Sequence, residues 1–425
     1  MRVTLALILV LAIPCAADDW PHFRGPDRDG ITAESSRFDD GAWPPGDPAW
    51  TAQVGEGGSS PIVAGGRVYA FGWRDGSDYL ECRDLATGEV VWTQSAPAAQ
   101  YGRFHRYDEG QYSGPSATPE LDTETGLIYT LGPDGDLACR DTSSAGKLLW
   151  SLNLYDSFGA GQRPEVSVGG GIHDYGYTCA PLVLGDALIV EAGSPEGSLV
   201  ALNKRTGERL WASECTDEAG HTGSIVPLNV EGITCVAVLT LRRLLVARVD
   251  RGHEGETVAD FPWETQSAIS LASPVVFGDS IVLTSGYSQS RTVRVRISAA
   301  GAEEVWEAKN RYSKVATPIV HDGHVYLSWQ KVRCLDWETG EQRWEGGRFG
   351  DDATMILTAD DRLIVLGAKT LALCETAVRS PDAYTELAKV KGVGSDSLWP
   401  HVVLSNGRIL CRDRMGNMVC FALEG

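Results

Sequence analysis

The sequence predicts an all-β fold, an eight-bladed β-propeller of four-stranded antiparallel blades. Three observations carry this. A strand-turn-strand signature returns at a spacing of roughly 40 to 60 residues. Four of its copies end in the same turn followed by a closing Trp, and a short segment around Trp50 supplies a strand that the last copy lacks.

The first complete unit spans residues 60–92, SPIVAGGRVYAFGWRDGSDYLECRDLATGEVVW. It reads as four short strands: 61–64, ending at the Gly65-Gly66 turn; 67–71, ending at Gly72; 79–84, leading into Ala86-Thr87-Gly88-Glu89; and a last one closing on Trp92. Gly-containing turns between alternating apolar runs are the hairpin signal. Such a sheet is apolar on both faces and buries them only between copies of itself. The further copies are TGLIYTLG at Thr125, LGDALIV at Leu184, PLNVEGITCVAVL at Pro227, FGDSIVL at Phe277, HDGHVYL at His321, ADDRLIVLG at Ala359 and SNGRILC at Ser405. The third strand and its turn recur as LECRDLATGEVVW, LACRDTSSAGKLLW, LVALNKRTGERLW and VRCLDWETGEQRW.

The last unit, from His401, stops near Leu423 without a closing Trp strand, whereas PAWTAQV around Trp50 precedes the first unit. This segment is expected to pair as the outermost strand of the last blade and close the ring, because an open ring would leave sheets unpaired in water. In the seventh unit SPDAYTELAKVK has a helix-like composition, but TELAKV alternates and reads as a strand.

Three regions follow. Residues 1–17 read as a Sec signal peptide: one Arg, an apolar run from Val3, then Ala16-Ala17 as the cleavage site. Exported placement, periplasmic or extracellular, is therefore expected. Cys15 would suggest a lipoprotein, but Pro14 occupies the place of the small residue that lipidation requires. Residues 18–46, rich in Gly and Pro, read as an extended, surface-hugging lead-in. Asp27-Arg28-Asp29-Gly30 resembles the start of a calcium loop without the remaining ligands, and reads as a turn. Residues 47–425 form the propeller, one domain however many its blades. After the leader no apolar run is long enough to cross a bilayer.

The formal net charge of −20 argues against a nucleic-acid partner and against anionic lipid. Ten cysteines in an exported chain would ordinarily suggest disulfides. Cys82, Cys139, Cys334 and Cys420, however, fill one slot of the third strand in different sheets, about 10 Å apart or more, beyond disulfide reach. They read as small buried residues; a bridge among Cys179, Cys215 and Cys235 stays open.

The longest connections between units are residues 93–112 and 151–177. Loops of that length inside a compact domain are commonly functional. Connections running from an outer edge back to the axis must gather on one face, around the mouth of the central channel. The candidate ligand- or partner-binding residues there are Arg103, His105, Tyr107, Tyr112, His173, Tyr175, Tyr177, His221, Arg311, Tyr312, Arg348, Asp351, Trp399 and His401. Convergent polar and aromatic groups make a ligand pocket or a peptide-binding rim.

On its ATGEVVW and TGERLW motifs the chain resembles the tryptophan-docking repeat of quinoprotein dehydrogenases and of the lipoprotein scaffold of the bacterial β-barrel assembly machinery. On DWPHFRGPDRDGIT, GPSATPELDTETGLIYTLGPDGDLACRD and NLYDSFG it resembles secreted pyrroloquinoline quinone (PQQ)-like repeat β-propeller proteins of planctomycete type. For the enzymes this resemblance implies an adjacent Cys-Cys disulfide over the quinone, a Trp beneath it, a calcium site near a catalytic Asp and often a C-x-x-C-H haem motif. The sequence contains no adjacent cysteine pair and no C-x-x-C-H, and offers no motif to which the calcium ligands can be assigned. Nor does it contain G-x-S-x-G or H-E-x-x-H.

The expectation is an exported, monomeric, non-catalytic binding or scaffolding propeller with no catalytic residues and no resident metal or cofactor. It would present its loops to an envelope or extracellular protein or to a small ligand at the channel mouth. The alternatives are a PQQ- and calcium-dependent alcohol or sugar dehydrogenase, or a glycan or small-molecule binder.

Overall fold

The computed structural model describes residues 19–38, 43, 46–106, 112–166, 170–287 and 289–423. Eight antiparallel sheets follow one another along the chain, at residues 62–97, 120–153, 182–212, 226–262, 275–309, 319–350, 354–391 and 403–422; they are blades 1 to 8 here. Seven sheets have four strands. Blade 6 has three, because its second and third repeat strands run on as one stretch, His324–Asp336, kinked at Gln330 in the left-handed region (φ 58°). The first half of that stretch pairs with Ile319–His321 and the second with Gln342–Gly350, so the four-layer pattern is kept. The expected strand in blade 7 is present as Glu386–Lys391.

Each sheet buries both faces by period-two alternation. In blade 1, Tyr69, Phe71, Leu80 and Cys82 cluster with Leu121 and Ile128 of blade 2. From the same strand, Val68 and Ala70 point the other way and pack with Ile409, Leu410 and Cys411 of blade 8. The third-strand cysteines are part of this packing: Cys82, Cys139, Cys334 and Cys420 are buried, and all nine cysteines among the described residues are free thiols, including Cys179, Cys215 and Cys235.

The T-G-E turn and the closing Trp are two halves of one contact between neighbouring blades. A Cβ built on Gly146 of blade 2 would lie 2.6 Å from the ring of Trp92 in blade 1. On Gly207 of blade 3 it would lie 2.9 Å from Trp150, and on Gly340 of blade 6, 2.7 Å from Trp306. These glycines also sit at φ between +72° and +75°, so the turn needs glycine both for backbone freedom and for the ring resting on it. The indole N–H then caps a backbone carbonyl of the next blade, as from Trp150 to Lys204 (3.2 Å) and from Trp306 to Trp337 (2.8 Å).

Blade 8 obtains its Trp from the other end of the chain. Trp50–Gln53 is its outermost strand, paired antiparallel with Asn417–Ala422 so that Trp50 faces Cys420 and Gln53 faces Asn417. Trp50 covers Gly88 of blade 1, where a Cβ would lie 2.6 Å from its ring, and its indole donates to Leu85 O (2.9 Å). The ring is thus closed by the same contact that joins blade 1 to blade 2, blade 2 to blade 3 and blade 5 to blade 6.

The lead-in does not hug the outer surface as the sequence suggests. Trp20 and Arg24 are almost fully buried, with Phe23 and Arg28 under one-tenth exposed. The segment runs across the end of the channel formed by the turns between first and second strands. Trp20 exchanges two backbone hydrogen bonds with Val63 of blade 1 (2.7 and 2.8 Å), and Arg24 donates to Pro318 O beside blade 6 (2.6 Å). Gly30 and Thr32 bond to Leu357 of blade 7, Ser36 to Asp360, and the Glu34 carboxylate to the backbone of Gly407 in blade 8. Glu120 of blade 2 anchors the middle: it pairs with Arg28 and His22 and accepts from Val183 N of blade 3. Burial alone would raise its pKa, but Arg28 and then His22 hold it below the ordinary value. Gly and Pro density marked an irregular path; it did not show that the path ends in the ring. Asp27-Arg28-Asp29-Gly30 is a turn, as expected.

Replacing the ring-closing tryptophan, Trp50→Ala, is expected to cost about 3–5 kcal/mol, and Gly88→Ala to destabilise by the clash with the same ring. Because both act on one contact, the double variant should be much less destabilised than the sum of the two, as read in denaturant titrations. Additive losses would mean that the two residues do not share the closing contact.

Candidate functional site: a blind funnel on the axis

Strands alternate in direction, so the blade-to-blade connections and the turns between second and third strands share one face. The lead-in covers the other. Between them the axis forms a funnel. Its mouth is a cavity of about 730 Å³ bordered by Tyr112, Lys314, Lys331, Arg348, Asp351 and Trp399. Its neck, of about 160 Å³, is lined by Phe23, Tyr112, Tyr175, His221, Trp399 and His401. Tyr112, Tyr287, Val315 and Trp399 border both. Phe23, carried in by the lead-in, makes an edge-on contact with His401 (5.0 Å between ring centres) at the neck.

Tyr175 is the hub of the neck. Its ring meets Tyr112 at 5.5 Å, His105 at 5.9 Å and His221 at 4.9 Å, and its hydroxyl bonds His173 Nδ1 (2.7 Å). Tyr112 in turn lies 5.0 Å from Trp399. The two long connections and the loop before blade 8 thus meet ring to ring.

What fixes Tyr175 is a buried triad beneath it. His221 Nε2 accepts from Tyr175 N (2.9 Å) and from Arg163 Nη1 (2.6 Å), while its Nδ1 faces Ala268 O (3.1 Å). That pattern assigns the Nδ1–H tautomer and a neutral ring. Burial, and after it the Arg163 charge, pushes the His221 pKa down to about 4. Asp174 pairs with Arg163. Burial would raise its pKa, but the Arg163 charge holds it well below the carboxylate range. The triad is a strut for the loop.

His401 differs. Its backbone N–H donates to Ser60 Oγ (2.9 Å), while the residue is 4% exposed and Nδ1 has no hydrogen-bond partner among the described residues. Thr222 Oγ1, also on the neck, is likewise unpartnered. Burial, then the nearby Arg24 charge, pushes the His401 pKa down to about 3.

Of the sequence-derived candidates, the structure brings Tyr112, Tyr175, His221, Trp399 and His401 together at the neck, and Arg348 and Asp351 at the mouth, where Gln330 donates to Asp351 (3.1 Å). His105 and His173 sit behind Tyr175. Arg103 is held by Asp134 and Asp156, lying over the Tyr155 ring. Tyr177 is buried between blades 2 and 3, its hydroxyl on Ala192 O (2.8 Å). Tyr312 stacks on Trp329 (4.5 Å), and Arg311 bonds the carbonyl of Asn310. Tyr107 lies outside the described residues. Phe23, Tyr287, Lys314 and Lys331 were not among the candidates. Lys314 shares a connection with Arg311 and Tyr312, so that loop was marked; Tyr287 stands in the turn between second and third strands of blade 5 and Lys331 just past the Gln330 kink that takes the place of that turn in blade 6, both on the mouth face but too short to stand out in sequence.

Blades docked Trp onto Gly, a ring closed from the N-terminus and a funnel blocked at one end define a PQQ-repeat-type β-propeller protein. The family model described as outer membrane protein assembly factor BamB matches residues 77–346 and 242–419, and the chain belongs to that family. The BamB assembly factor of Burkholderia pseudomallei is 31% identical over 254 residues, which cover 54% of this chain and 62% of that protein. Among solved structures, BamB from Moraxella catarrhalis superposes with a TM-score of 0.60 at 12% identity, covering 88% of this chain and 99% of that one. A europium-containing methanol dehydrogenase superposes with a TM-score of 0.65 at 11% identity, covering 96% and 98%. At these identities the superpositions show the fold alone. No helix among the described residues is long and apolar enough to cross a membrane.

The depressed pKa of His401 has a pH signature. The unfolded chain takes up the proton below about 6.5, whereas the folded chain takes it up only near 3. The stability conferred by the neutral ring is therefore complete above about 6.5 and declines as the pH falls towards 3. Melting temperatures of wild type and His401→Gln, followed from pH 7.5 to 4.5, should converge or cross by a few degrees as the wild type loses ground; parallel curves would contradict a buried neutral His401.

Proposed function

We propose that this protein is an exported, non-catalytic scaffold of the cell envelope that grips a protein partner at the mouth of its funnel. The observation that carries this reading is the blocked channel. With Phe23 and the lead-in across one end, the funnel can receive a projecting side chain or loop but cannot pass anything through. Its mouth mixes Lys314, Lys331 and Arg348 with Asp351 and Asp352, suited to a polar rim, and its neck offers aromatic walls for an anchoring residue. The family and the BamB relative, whose name describes an outer-membrane assembly factor, support an envelope setting.

A quinone fits the neck poorly. PQQ carries three carboxylates, and none of the neck-lining residues is Lys or Arg; of the guanidinium groups nearby, Arg24 is committed to backbone carbonyls of Asp29 and Pro318 and Arg163 to Asp174 and His221. The walls are aromatic and aliphatic around two buried atoms without hydrogen-bond partners among the described residues, His401 Nδ1 and Thr222 Oγ1. That lining suits a small uncharged or apolar group.

The test is affinity capture from envelope extract of the source organism, comparing wild type with Tyr112→Ala/Trp399→Ala. Both side chains are partly exposed at the funnel and outside the blade cores, so the variant should stay folded, as a single cooperative melting transition would show. The expected result is a defined partner captured by wild type and depleted tenfold or more from the variant, since each removed aromatic anchor is worth about 2 kcal/mol or more. Equal capture by the folded variant would move the working surface away from the mouth.

A further inference from the structure

The flank between blades 1 and 2 contains charges of both signs that do not neutralise each other. A groove of about 320 Å³ runs there between the outer strands, with Leu80, Ala96, Pro97 and Leu148 along its apolar sides. At one end stand two carboxylates, Asp78 near the start of Ser77–Asp84 and Asp136 at the start of Asp136–Asp141. Asp78 is 7% exposed and its Oδ1 has no hydrogen-bond partner among the described residues. Burial, and after it the charge on Asp136, pushes the Asp78 pKa up to about 7. Asp136 accepts one hydrogen bond, from Asn153 (2.9 Å). A side chain at position 132 would meet Asp78 Oδ2 at 2.7 Å, so Gly132 keeps the space before it open.

At the other end is Arg140, 8% exposed, whose single side-chain hydrogen bond among the described residues is from Nη1 to Gly146 O (3.3 Å). It makes no ion pair among the described residues. The repeat shows what is missing. The equivalent residue of blade 1, Arg83 in Leu80-Glu81-Cys82-Arg83-Asp84, bonds the corresponding turn carbonyl, Gly88 O (2.8 Å), and also the carboxylate of Glu81 (2.8 Å). In blade 2 the run is Leu137-Ala138-Cys139-Arg140-Asp141, and the Glu is replaced by Ala138. The missing side chain leaves both a cavity and an uncompensated guanidinium. An unpaired buried charge is costly; Arg140 carries one, and the same groove is faced by Asp78, whose ionisation burial and the Asp136 charge oppose.

We propose that this groove is a binding site for a zwitterion on an unbranched chain, an ω-amino acid, with its ammonium on Asp78 and Asp136, its methylenes along the leucine and proline sides, and its carboxylate on Arg140. Position 138 lies two residues, and Arg140 four residues, along one strand from Asp136, about 7 and 13 Å. That span suits roughly four to six methylenes. A divalent cation suits the place less well, since hard cations gather six or more oxygens and no group of three His, Cys, Asp or Glu among the described residues is placed to hold one. The site lies on the flank and is independent of the funnel.

Calorimetric titration of the whole protein tests this with 6-aminohexanoate, hexylamine and hexanoate. The doubly charged probe should bind at least tenfold more tightly than either singly charged one, because each omits one charge-assisted contact. Ala138→Glu gives blade 2 the residue blade 1 already carries, so it should fold, pair with Arg140 and weaken binding tenfold or more. Asp78→Asn should weaken it as well, while Trp399→Ala at the funnel should leave it unchanged. Two further probes distinguish sources of the same chemistry: Nα-acetyl-lysine binding while its C-terminal amide does not would indicate a C-terminal lysine, and binding of 6-aminohexanoate alone would indicate a free ω-amino acid. No binding at millimolar concentration, equal binding of the three hexyl probes, or unchanged binding by folded Ala138→Glu would each overturn the proposal.

Discussion

The structure depends on one contact made at four of its eight blade junctions: the indole of a closing tryptophan resting on the glycine of the next blade's turn. A buried indole removes some 150–250 Å² from water, about 4–6 kcal/mol at 25 cal/mol per Å². The hydrogen bond from its N–H adds only about 1 kcal/mol net. Packing therefore dominates, and the hydrogen bond sets the ring's direction. Because Trp50 makes this contact with Gly88 from the opposite end of the chain, the two ends of the propeller are joined by the same chemistry as its interior. Non-local pairing of this kind slows folding, since the closing strand can dock only once blade 8 has formed.

The stretch just before that strand has a second task. By exchanging backbone hydrogen bonds with blades 1 and 7, reaching the backbone beside blade 6 and in blade 8, and pairing with Glu120, it ties together blades that do not touch each other. It also gives the axis a floor. One N-terminal run thus closes the ring in one direction and blocks the channel in the other, turning a tube into a blind funnel whose open face is built from the blade connections.

The fold was legible in the sequence because its determinants are local and repeated: Gly turns, alternating apolar strands, and a Trp at a fixed distance after T-G-E. The loops around the mouth were legible as a set for the same reason, since topology alone sends them to one face. Individual roles within that set were not. His221 and Tyr177 have the composition of binding residues, but His221 spends Nε2 on the loop that carries Tyr175 and Nδ1 on Ala268 O of the connection after blade 4, and the Tyr177 hydroxyl is used on Ala192 O. Phe23 escaped because nothing local marks a Gly- and Pro-rich lead-in as buried; its position is decided by partners hundreds of residues away. The absent carboxylate at Ala138 was printed in the alignment of the repeats, yet its meaning depends on Arg140 and Asp78 facing one groove, which only the packing of two blades reveals.

The central claim is that Trp50–Gln53 belongs to blade 8 as firmly as that blade's own strands. Native-state hydrogen exchange on the intact protein measures this directly. The backbone amides of Trp50–Gln53 that bond to Asn417–Ala422 should exchange as slowly as those of Arg408–Arg412 in the same sheet, by an opening that spans the whole blade. Rapid exchange across Trp50–Gln53 while the remainder of blade 8 stays protected would show a ring that is not closed by its N-terminus, and would contradict the account.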